Sequence, residues 1–319
     1  RDPTAEVNGA PEGRAMRIVS LLPSLTELVC ALGRRDDLVG VTHECDYPAS
    51  VRELPKLTSS RIPAEATGAE IDALVSEHQG GLYSLDEAML EALRPDLILT
   101  QEQCDVCAVN ERTVRRAAAR LPGSPHVESV DPRTLDDVFA MFRRVGELVD
   151  RPVEAEYLVA GFHRTVRWIY EFITPTRPKP RVLLLEWLDP PFCSGHWNPD
   201  IIRLAGGEEV LGRAGERSRR VTWGEIADAE PEVIILALCG FELDRAEREL
   251  AVVADRPEWR ALPAVREGRV ALADGSAFFS RPGPRLEVGL RIAAGAMAPA
   301  LFSSRDTRRG DAWRFLPRP

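Results

Sequence analysis

The chain has 319 residues and a formal net charge of −9, and 44% of its residues are hydrophobic. This length predicts two domains, and the composition predicts a globular protein with an ordinary apolar core. The negative charge argues against binding to nucleic acid or to an anionic membrane surface. No segment approaches the roughly 20 apolar residues that cross a bilayer, so we expect no membrane insertion. We also expect a monomer.

The ends of the chain and its cysteines bear on where the protein works. Residues 1–15 are polar and lack the apolar run of a secretion signal, which predicts a disordered leader before Met16. Six cysteines are too few for a disulfide scaffold in a chain of this length. These features predict a cytoplasmic protein. The alternative is an extracytoplasmic, membrane-tethered protein whose signal precedes Arg1.

Short apolar runs alternate with helical patterns along the chain, which is typical of α/β layers with mainly parallel sheets. Ser24 is placed to cap a first helix that ends at Gly33. In the middle of the chain, apolar residues recur every three or four positions over 135–149 and again over 155–173. Strands are predicted at 17–22, 38–43, 96–100, 127–130, 181–186, 233–238 and 269–273.

The second helical pattern is long enough to bridge two domains, because each helical residue adds about 1.5 Å. The sequences on either side of it resemble each other. Residues 90–100 and 226–236 both read as a helix end, a charged residue, proline, an acid and a strand. The predicted fold is therefore two Rossmann-like α/β lobes joined by one long α-helix. The predicted divisions are 1–15 (leader), 16–150 (first lobe), 151–173 (helix), 174–302 (second lobe) and 303–319 (tail).

Polar, aromatic and thiol side chains follow several of the predicted strands. Ligands of open α/β sheets bind beyond the carboxyl ends of the strands, so these side chains are expected to line a cleft between the lobes. The candidate ligand contacts in these loops are Glu44, Gln101, Glu186, Trp187, Trp197 and Phe279.

Cysteines and histidines in the same loops suggest a site for a soft metal. Thiolate and imidazole suit zinc, and thiolates suit an iron–sulfur cluster. Only Cys104 and Cys107 have local ligand spacing, so unliganded thiols and a redox pair remain alternatives. The candidate metal ligands are Cys45, Cys104, Cys107, Cys193, His43 and His196.

Several short segments together resemble the helical-backbone (class III) substrate-binding proteins of ABC importers, and most closely the cobalamin-binding members of that family. The similarity extends from about residue 17 to residue 301. It depends on the order and spacing of RIVSLLPS (17–24), DYP (46–48), LRPD (93–96), PPF (190–192), VTW (221–223) and RPGPR (281–285).

The resemblance implies two lobes joined by one long helix, little hinge motion, and a corrinoid or iron chelate in the cleft. Phe192, Trp223 and Arg281 occupy positions at which cobalamin-binding members have cleft-facing residues. Where those members carry aromatic residues in the first lobe, this chain has Glu44, a residue near Ser60, and Gln101. The span 58–83 is also longer than its counterpart.

Two functions follow as hypotheses. The first is a non-enzymatic receptor that holds cobalamin, another corrinoid or another metal-containing small ligand in the cleft, with an ABC permease as its partner if it is exported. The second is a cytosolic metalloprotein, including the case of an enzyme, with a Cys/His-bound zinc ion or iron–sulfur cluster in the cleft. We assign no catalytic residue.

Overall fold

The structure, a computed structural model, describes residues 16–63, 65–77, 82–101, 110–172 and 178–318. The predicted leader, Cys104 and Cys107 lie outside the described residues. The described residues form two α/β lobes on either side of one long helix, so the predicted two-lobed α/β fold is confirmed. Among these residues no helix is both long enough and apolar enough to cross a membrane.

The N-terminal lobe is built on a parallel sheet with the strand order β2-β1-β5-β6. A separate antiparallel pair, β3 and β4, lies beside it. The strands are β1 (Ile18–Ser20), β2 (Leu38–Val41), β3 (Thr58–Ser60), β4 (Tyr83–Leu85), β5 (Leu97–Gln101) and β6 (His126–Val130). The helices are α1 (Pro23–Ala31), α2 (Gly68–Glu77), α3 (Glu87–Leu93), α4 (Glu111–Ala118) and α5 (Leu135–Leu148), with 3₁₀ turns at Arg35–Asp37 and Ala49–Val51.

One helix, α6 (Pro152–Phe172), joins the lobes and has 21 residues. At about 1.5 Å per residue it is about 30 Å long, the width of a small domain. Proline at its first position is tolerated because the first amides of a helix have no intrahelical acceptor. Its buried face packs on α5 and on helix α14 (Leu286–Met297) of the second lobe.

The C-terminal lobe has a larger, mixed sheet with the order β10-β8-β7-β11-β12-β13, and β9 also pairs with β7. The strands are β7 (Arg181–Leu188), β8 (Pro191–Cys193), β9 (Glu208–Glu209), β10 (Arg219–Arg220), β11 (Val233–Leu236), β12 (Val270–Ala273) and β13 (Trp313–Phe315). The helices are α7 (Asn198–Leu204), α8 (Trp223–Asp228), α9 (Leu243–Glu249), α10 (Ala251–Ala254), α11 (Pro257–Ala261), α12 (Pro263–Arg266), α13 (Gly275–Phe278), α14 (Leu286–Met297) and α15 (Ser304–Thr307).

The internal sequence repeat corresponds to a repeated set of contacts. In the first lobe, the carboxylate of Asp96 accepts a hydrogen bond from the backbone amide of Arg17 at 2.9 Å. At the equivalent position of the second lobe, Glu232 accepts one from the amide of Arg181 at 2.8 Å. Each carboxylate therefore fixes the start of the neighbouring parallel strand. The two lobes share a local construction as well as a topology.

The residues that end the helices before β5 and β11 also match. Arg94 has φ 44° and Glu230 has φ 43°, both in the left-handed region that non-glycine residues seldom adopt. Each is followed by a proline, which disfavours continuation of the helix. The sharp turn into each central strand is thus made in the same way in both lobes.

A continuous apolar core runs through both lobes. It includes Leu25 of α1, Phe139 of α5, Phe162 of α6, Ile201 of α7 and Leu290 of α14. Rotation of one lobe against the other would open this core to water, at roughly 25 cal/mol per Å² of apolar surface. The lobes are therefore held together by packing as well as by the connecting helix.

Two local features differ from the sequence-based expectations. Helix α1 begins at Pro23 with Leu22 as its N-cap, and Ser24 is buried inside the helix with an unpaired hydroxyl. The predicted Ser24 cap is therefore wrong, because proline at the first helical position starts the helix two residues earlier, at Pro23. Residues 313–315 form β13, which pairs antiparallel with β12 and adds an edge to the sheet of the second lobe.

Candidate functional site

The cleft lies where the carboxyl ends of the parallel strands of the two lobes face each other. In the first lobe, β2 leads into residues 42–48 and β5 ends at Gln101. In the second lobe, β12 leads into α13 and then into Arg281, whose Nη2 donates to the backbone oxygen of Glu44 at 3.4 Å. This contact shows that the two sets of strand-end loops meet.

The wall formed by the first lobe carries an imidazole and a phenol side by side. The rings of His43 and Tyr83 are 5.5 Å apart, and His43 Nδ1 lies 2.7 Å from the hydroxyl of Thr58. The Tyr83 hydroxyl donates to the carboxylate of Glu44 at 3.1 Å. Burial lowers the pKa of His43, against the opposing effect of Glu44, so the imidazole is neutral at neutral pH.

Gln101, at the carboxyl end of β5, adds an unsatisfied donor to the first lobe. The residue is only 9% exposed, and its side-chain nitrogen has no hydrogen-bond partner among the described residues. A buried donor left unpaired costs about 1–3 kcal/mol, so native proteins seldom tolerate one without a reason. A ligand that brings an acceptor into the cleft would remove this cost.

In the wall formed by the second lobe, Glu186 is held in place by its neighbours. Its carboxylate accepts hydrogen bonds from Ser218 Oγ at 2.5 Å and from Asn198 Nδ2 at 2.9 Å. Burial raises the pKa of Glu186, and these hydrogen bonds only partly offset that effect. Glu186 therefore braces the wall, with both carboxylate oxygens already occupied by protein donors.

Trp187 and Phe192 supply the aromatic surface of this wall. Both are half-buried, and the Trp187 ring lies 5.2 Å from that of Phe241. The indole nitrogen of Trp187 is buried and has no hydrogen-bond partner in the part of the chain that the structure describes. The guanidinium of Arg220 lies 5.6 Å from the centre of the Phe192 ring. The Trp187 indole nitrogen is thus an unpaired donor in the second lobe, as the Gln101 amide nitrogen is in the first.

Residues 66–77, which we call the strap, cross from the first lobe to this wall. The backbone amide of Gly68 donates to the carboxylate of Glu249 at 2.9 Å, and Arg245 donates to the backbone oxygen of Ala66 at 2.7 Å. A Cβ atom on Gly68 would lie 2.5 Å from the Glu249 carboxylate and 3.1 Å from the Trp187 ring, so a larger residue here would require these side chains to move. The strap therefore covers part of the aromatic surface.

At the floor of the cleft, charged residues of the two lobes form one network. Glu27 is 4% exposed, and it accepts hydrogen bonds from both Arg281 at 3.0 Å and Arg285 at 2.8 Å. Arg281 also pairs with Asp46 at 2.5 Å, and Arg285 stacks on the ring of Tyr47 at 4.3 Å. The resemblance predicted that Arg281 contacts the ligand. In this structure its guanidinium is hydrogen-bonded to the carboxylates of Glu27 and Asp46.

Of the remaining candidate ligand contacts, Trp197 and Phe279 are buried and Trp223 is half-buried. Trp197 is 5% exposed, and its indole nitrogen donates to the backbone oxygen of the fully buried Phe279 at 2.8 Å. Trp223 begins α8, where its ring meets that of Trp259 edge-on at 6.1 Å and the guanidinium of Arg256 lies 5.7 Å from it. These side chains pack against protein on the faces described.

The candidate metal ligands that the structure describes are not brought together. In the described part of the chain, no three His, Cys, Asp or Glu side chains are grouped so that they could hold a metal ion. Cys45 lies 3.1 Å from the hydroxyl of Thr26 in the first lobe, whereas Cys193 lies in β8 of the second. Burial raises the pKa of both thiols, which disfavours the thiolate that a metal needs. The predicted zinc or iron–sulfur site, for which His43 and His196 were the candidate imidazole ligands, is therefore not supported.

Sequence reasoning missed several residues that shape the cleft. Tyr83 lies in a strand of three residues, too short to be recognised from its pattern. Glu27 lies on a helix face, and Arg285 lies in the segment RPGPR that carried the family resemblance. Only proximity in the folded chain reveals that Glu27 and Arg285 belong to one network.

The fold and the cleft define a class of protein. A family model described as "Periplasmic binding protein" matches residues 18–277, and the chain belongs to this family. The predicted resemblance to class III substrate-binding proteins is thereby confirmed.

Among curated proteins, the chain is 25% identical over 265 residues to the vitamin B12-binding protein of Yersinia pestis (strain Pestoides F), covering 80% of this chain and 84% of that protein. Among solved structures, it matches a periplasmic heme-binding protein from Pseudomonas aeruginosa with a TM-score of 0.72 and 20% identity, covering 95% of this chain and 99% of that one. It also matches the periplasmic vitamin B12-binding protein of Vibrio cholerae with a TM-score of 0.63 and 18% identity, covering 91% of this chain and 99% of that one.

The predicted cytoplasmic location is wrong, because the family and the two structural neighbours named above are described as periplasmic binding proteins. The prediction gave too much weight to the small number of cysteines. A protein with a large apolar core needs no disulfides in any compartment, so cysteine number alone does not report location.

Proposed function

We propose that the protein is an extracytoplasmic receptor that binds a metal-containing tetrapyrrole, a corrinoid or a heme, in the cleft between its lobes. One relative is a vitamin B12-binding protein and one structural neighbour is a heme-binding protein. Both ligands are flat macrocycles with a central metal ion and with amide or carboxylate acceptors at the rim. An ABC permease would receive the ligand from the receptor.

The observation that carries this proposal is a buried, unpaired donor near the carboxyl end of a parallel strand in each lobe, Gln101 in β5 and Trp187 in β7. Gln101 Nε2 and Trp187 Nε1 both lack hydrogen-bond partners among the residues that the structure describes. A ligand whose rim carries acceptors would pair with both, and each hydrogen bond is worth about 1 kcal/mol. The aromatic faces of Tyr83 and Phe192 suit the flat surface of a macrocycle. The neutral imidazole of His43 is chemically suited to contact a central metal ion.

Two ligands test the proposal by absorption titration and calorimetry, hemin for the heme branch and hydroxocobalamin for the corrinoid branch. We expect one of them to bind at a ratio of one to one. Gln101→Leu and Trp187→Phe each remove a donor and keep most of the side-chain volume. Each is expected to weaken binding about fivefold, the equivalent of about 1 kcal/mol.

Trp168→Phe is the matched control for Trp187→Phe. Trp168 lies on α6, where it packs on Phe172 and Phe302. Its substitution is expected to leave the affinity unchanged. Failure of both ligands to bind, or equal losses in the Trp168 and Trp187 variants, would contradict the proposal.

The location and the partner have their own tests. In cells that produce the natural protein, protease added to intact spheroplasts should degrade an extracytoplasmic receptor and spare cytoplasmic markers. Reconstituted with its permease, the ligand-loaded protein should raise the rate of ATP hydrolysis above that of the ligand-free protein. Protection from protease would contradict the proposed location.

A further inference from the structure

The strap presents hydrogen-bond acceptors to arginines of the second lobe. The carboxylate of Asp72 accepts two hydrogen bonds from Arg220, at 3.1 and 3.0 Å, and the carbonyl of Ala66 accepts one from Arg245. Arg220 is also stacked on Phe192, one of the candidate ligand contacts. The strap therefore occupies cationic donors that stand beside the aromatic surface of the cleft.

The docked strap is held by few strong contacts. Ala66 and Gly68 are buried, but Ile71 is only half-buried and no residue of α2 after Gly68 is fully buried. The pair between Asp72 and Arg220 is partly exposed, with side-chain exposures of 26% and 56%. Segments with little buried apolar surface open at low free energy, and a helix of ten residues is marginal alone.

The docked strap also leaves one buried donor, the indole nitrogen of Trp187, without an acceptor. Gly68 packs against the ring of Trp187 beside its indole nitrogen, which is buried without an acceptor. A ligand acceptor in place of Gly68 would satisfy that nitrogen. The strap offers oxygen acceptors to Arg220 and Arg245, as a ligand with anionic groups would. Unlike such a ligand, it leaves the indole nitrogen of Trp187 without an acceptor.

We propose that the strap occupies part of the ligand site and is displaced when ligand binds. A carboxylate-bearing ligand then replaces the strap as the hydrogen-bond acceptor for Arg220 and Arg245. This inference rests on the proposed function and narrows its ligand to a tetrapyrrole with free carboxylates. Asp72 stands in for a ligand carboxylate on Arg220. Arg220 therefore favours ligands that carry a carboxylate. Because the docked strap competes with the ligand, the measured affinity is lower than the affinity of the protein with the strap undocked.

Two probes separate the roles of the strap and the arginine. They are hemin, which has two carboxylates, and its dimethyl ester, in which both carboxylates are masked. Asp72→Asn weakens docking and should tighten the binding of both probes by about two- to fivefold, as expected for an exposed ion pair. Arg220→Gln should also tighten ester binding, but it should weaken hemin binding about tenfold because a charge-assisted contact to the ligand is lost.

Gly68→Ala tests docking by another route. The added Cβ would lie 2.5 Å from the Glu249 carboxylate and 3.1 Å from the Trp187 ring, whereas alanine favours the helix itself. In ligand-free protein, hydrogen exchange over residues 66–77 should become faster. Gly161→Ala on α6 is the matched control, since its Cβ would meet only Arg164 at 3.5 Å. In wild-type protein, hemin should also raise exchange in the strap.

The outcomes decide each part. A shift of hemin and ester affinity in the same direction in Arg220→Gln would overturn the assignment of Arg220 to the ligand carboxylate. Equal exchange over residues 66–77 in wild-type, Gly68→Ala and Gly161→Ala proteins, or no rise with bound hemin, would overturn the displaceable strap. Failure of hemin, its ester and hydroxocobalamin to bind any variant would contradict the receptor function, and the exchange comparison in ligand-free protein would still decide docking.

Discussion

Glu27 lies on the first helix of one lobe, and both of its carboxylate oxygens accept hydrogen bonds from Arg285 of the other, at 2.8 and 2.5 Å. Arg281 binds the same carboxylate. One buried anion is therefore shared by two cations of the other lobe, which joins the two lobes at this point. A carboxylate removed from water in this way is stable only while its partners remain.

Glu27→Gln is expected to lower the free energy of unfolding by about 3 kcal/mol, because two partly buried guanidinium groups lose their shared anion. Urea unfolding measures the change. The control is Asp46→Asn, which removes another partner of Arg281 at a site whose side chain is 38% exposed. That variant should cost less than about 1 kcal/mol. Equal losses in the two variants would contradict a special role for the buried carboxylate.

Glu209 should make the protein less stable as the pH rises. Burial raises the pKa of Glu209 from 4.5 to about 7, although backbone amides of Gly212, Leu184 and Leu211 donate to it. Between these pH values the folded state holds a proton that the unfolded state has released, so stability falls with rising pH. The full effect is about 3 kcal/mol.

The measurement is the slope of unfolding free energy between pH 5 and pH 8. Glu209→Gln should flatten this slope, with a remainder from Glu186, whose pKa burial also raises. Glu208→Gln, at the exposed neighbouring position of β9, should keep the wild-type slope. A slope unchanged by Glu209→Gln would show that the side chain ionises as freely in the fold as outside it.

The equivalent left-handed residues Arg94 and Glu230 predict a matched pair of stabilising substitutions. Side chains disfavour this backbone conformation by about 1 kcal/mol, and glycine removes that cost while adding some entropy to the unfolded chain. Arg94→Gly and Glu230→Gly should each raise the free energy of unfolding by about 0.5 kcal/mol. Ala92→Gly, inside α3, should lower it by about 1 kcal/mol. If all three substitutions lowered the free energy of unfolding, the left-handed backbone at Arg94 and Glu230 would carry no strain that glycine relieves.

The parallel core of both lobes was predictable because it depends on local sequence. Leu97–Gln101 and Val233–Leu236 are buried along their whole length, so each reads as a continuous apolar run followed by a turn. The same logic placed Gln101 at the end of its strand, whereas Trp187, predicted to follow a strand, lies inside β7. Repeated sequence on either side of a long helical pattern was enough to predict two lobes.

Other parts of the cleft depend on contacts between distant residues. Strand β10 consists of the two exposed residues Arg219 and Arg220, so no apolar pattern marks it. Gly68 meets Glu249 across 181 positions of sequence, and nothing near either residue indicates the other. The engagement of Arg281 with Glu27 is similarly non-local. The sequence predicted a cleft between the lobes, whereas these contacts between distant residues could be identified only in the folded chain.

The C-terminal residues should be essential to the second lobe. Trp313 is 1% exposed, its indole nitrogen donates to the backbone oxygen of Thr307 at 2.9 Å, and its strand pairs with β12. Truncation of a buried aromatic side chain typically costs 3–5 kcal/mol, so Trp313→Ala is expected to lower the free energy of unfolding by about 4 kcal/mol. Arg305→Ala, at an exposed position of the same region, should change it by less than about 0.5 kcal/mol. If thermal and urea unfolding show that both variants match the wild type, residues 313–315 contribute no stability and the edge strand is dispensable. The expected loss would instead place the last strand within the folding unit that supports Trp187 and the rest of the cleft wall.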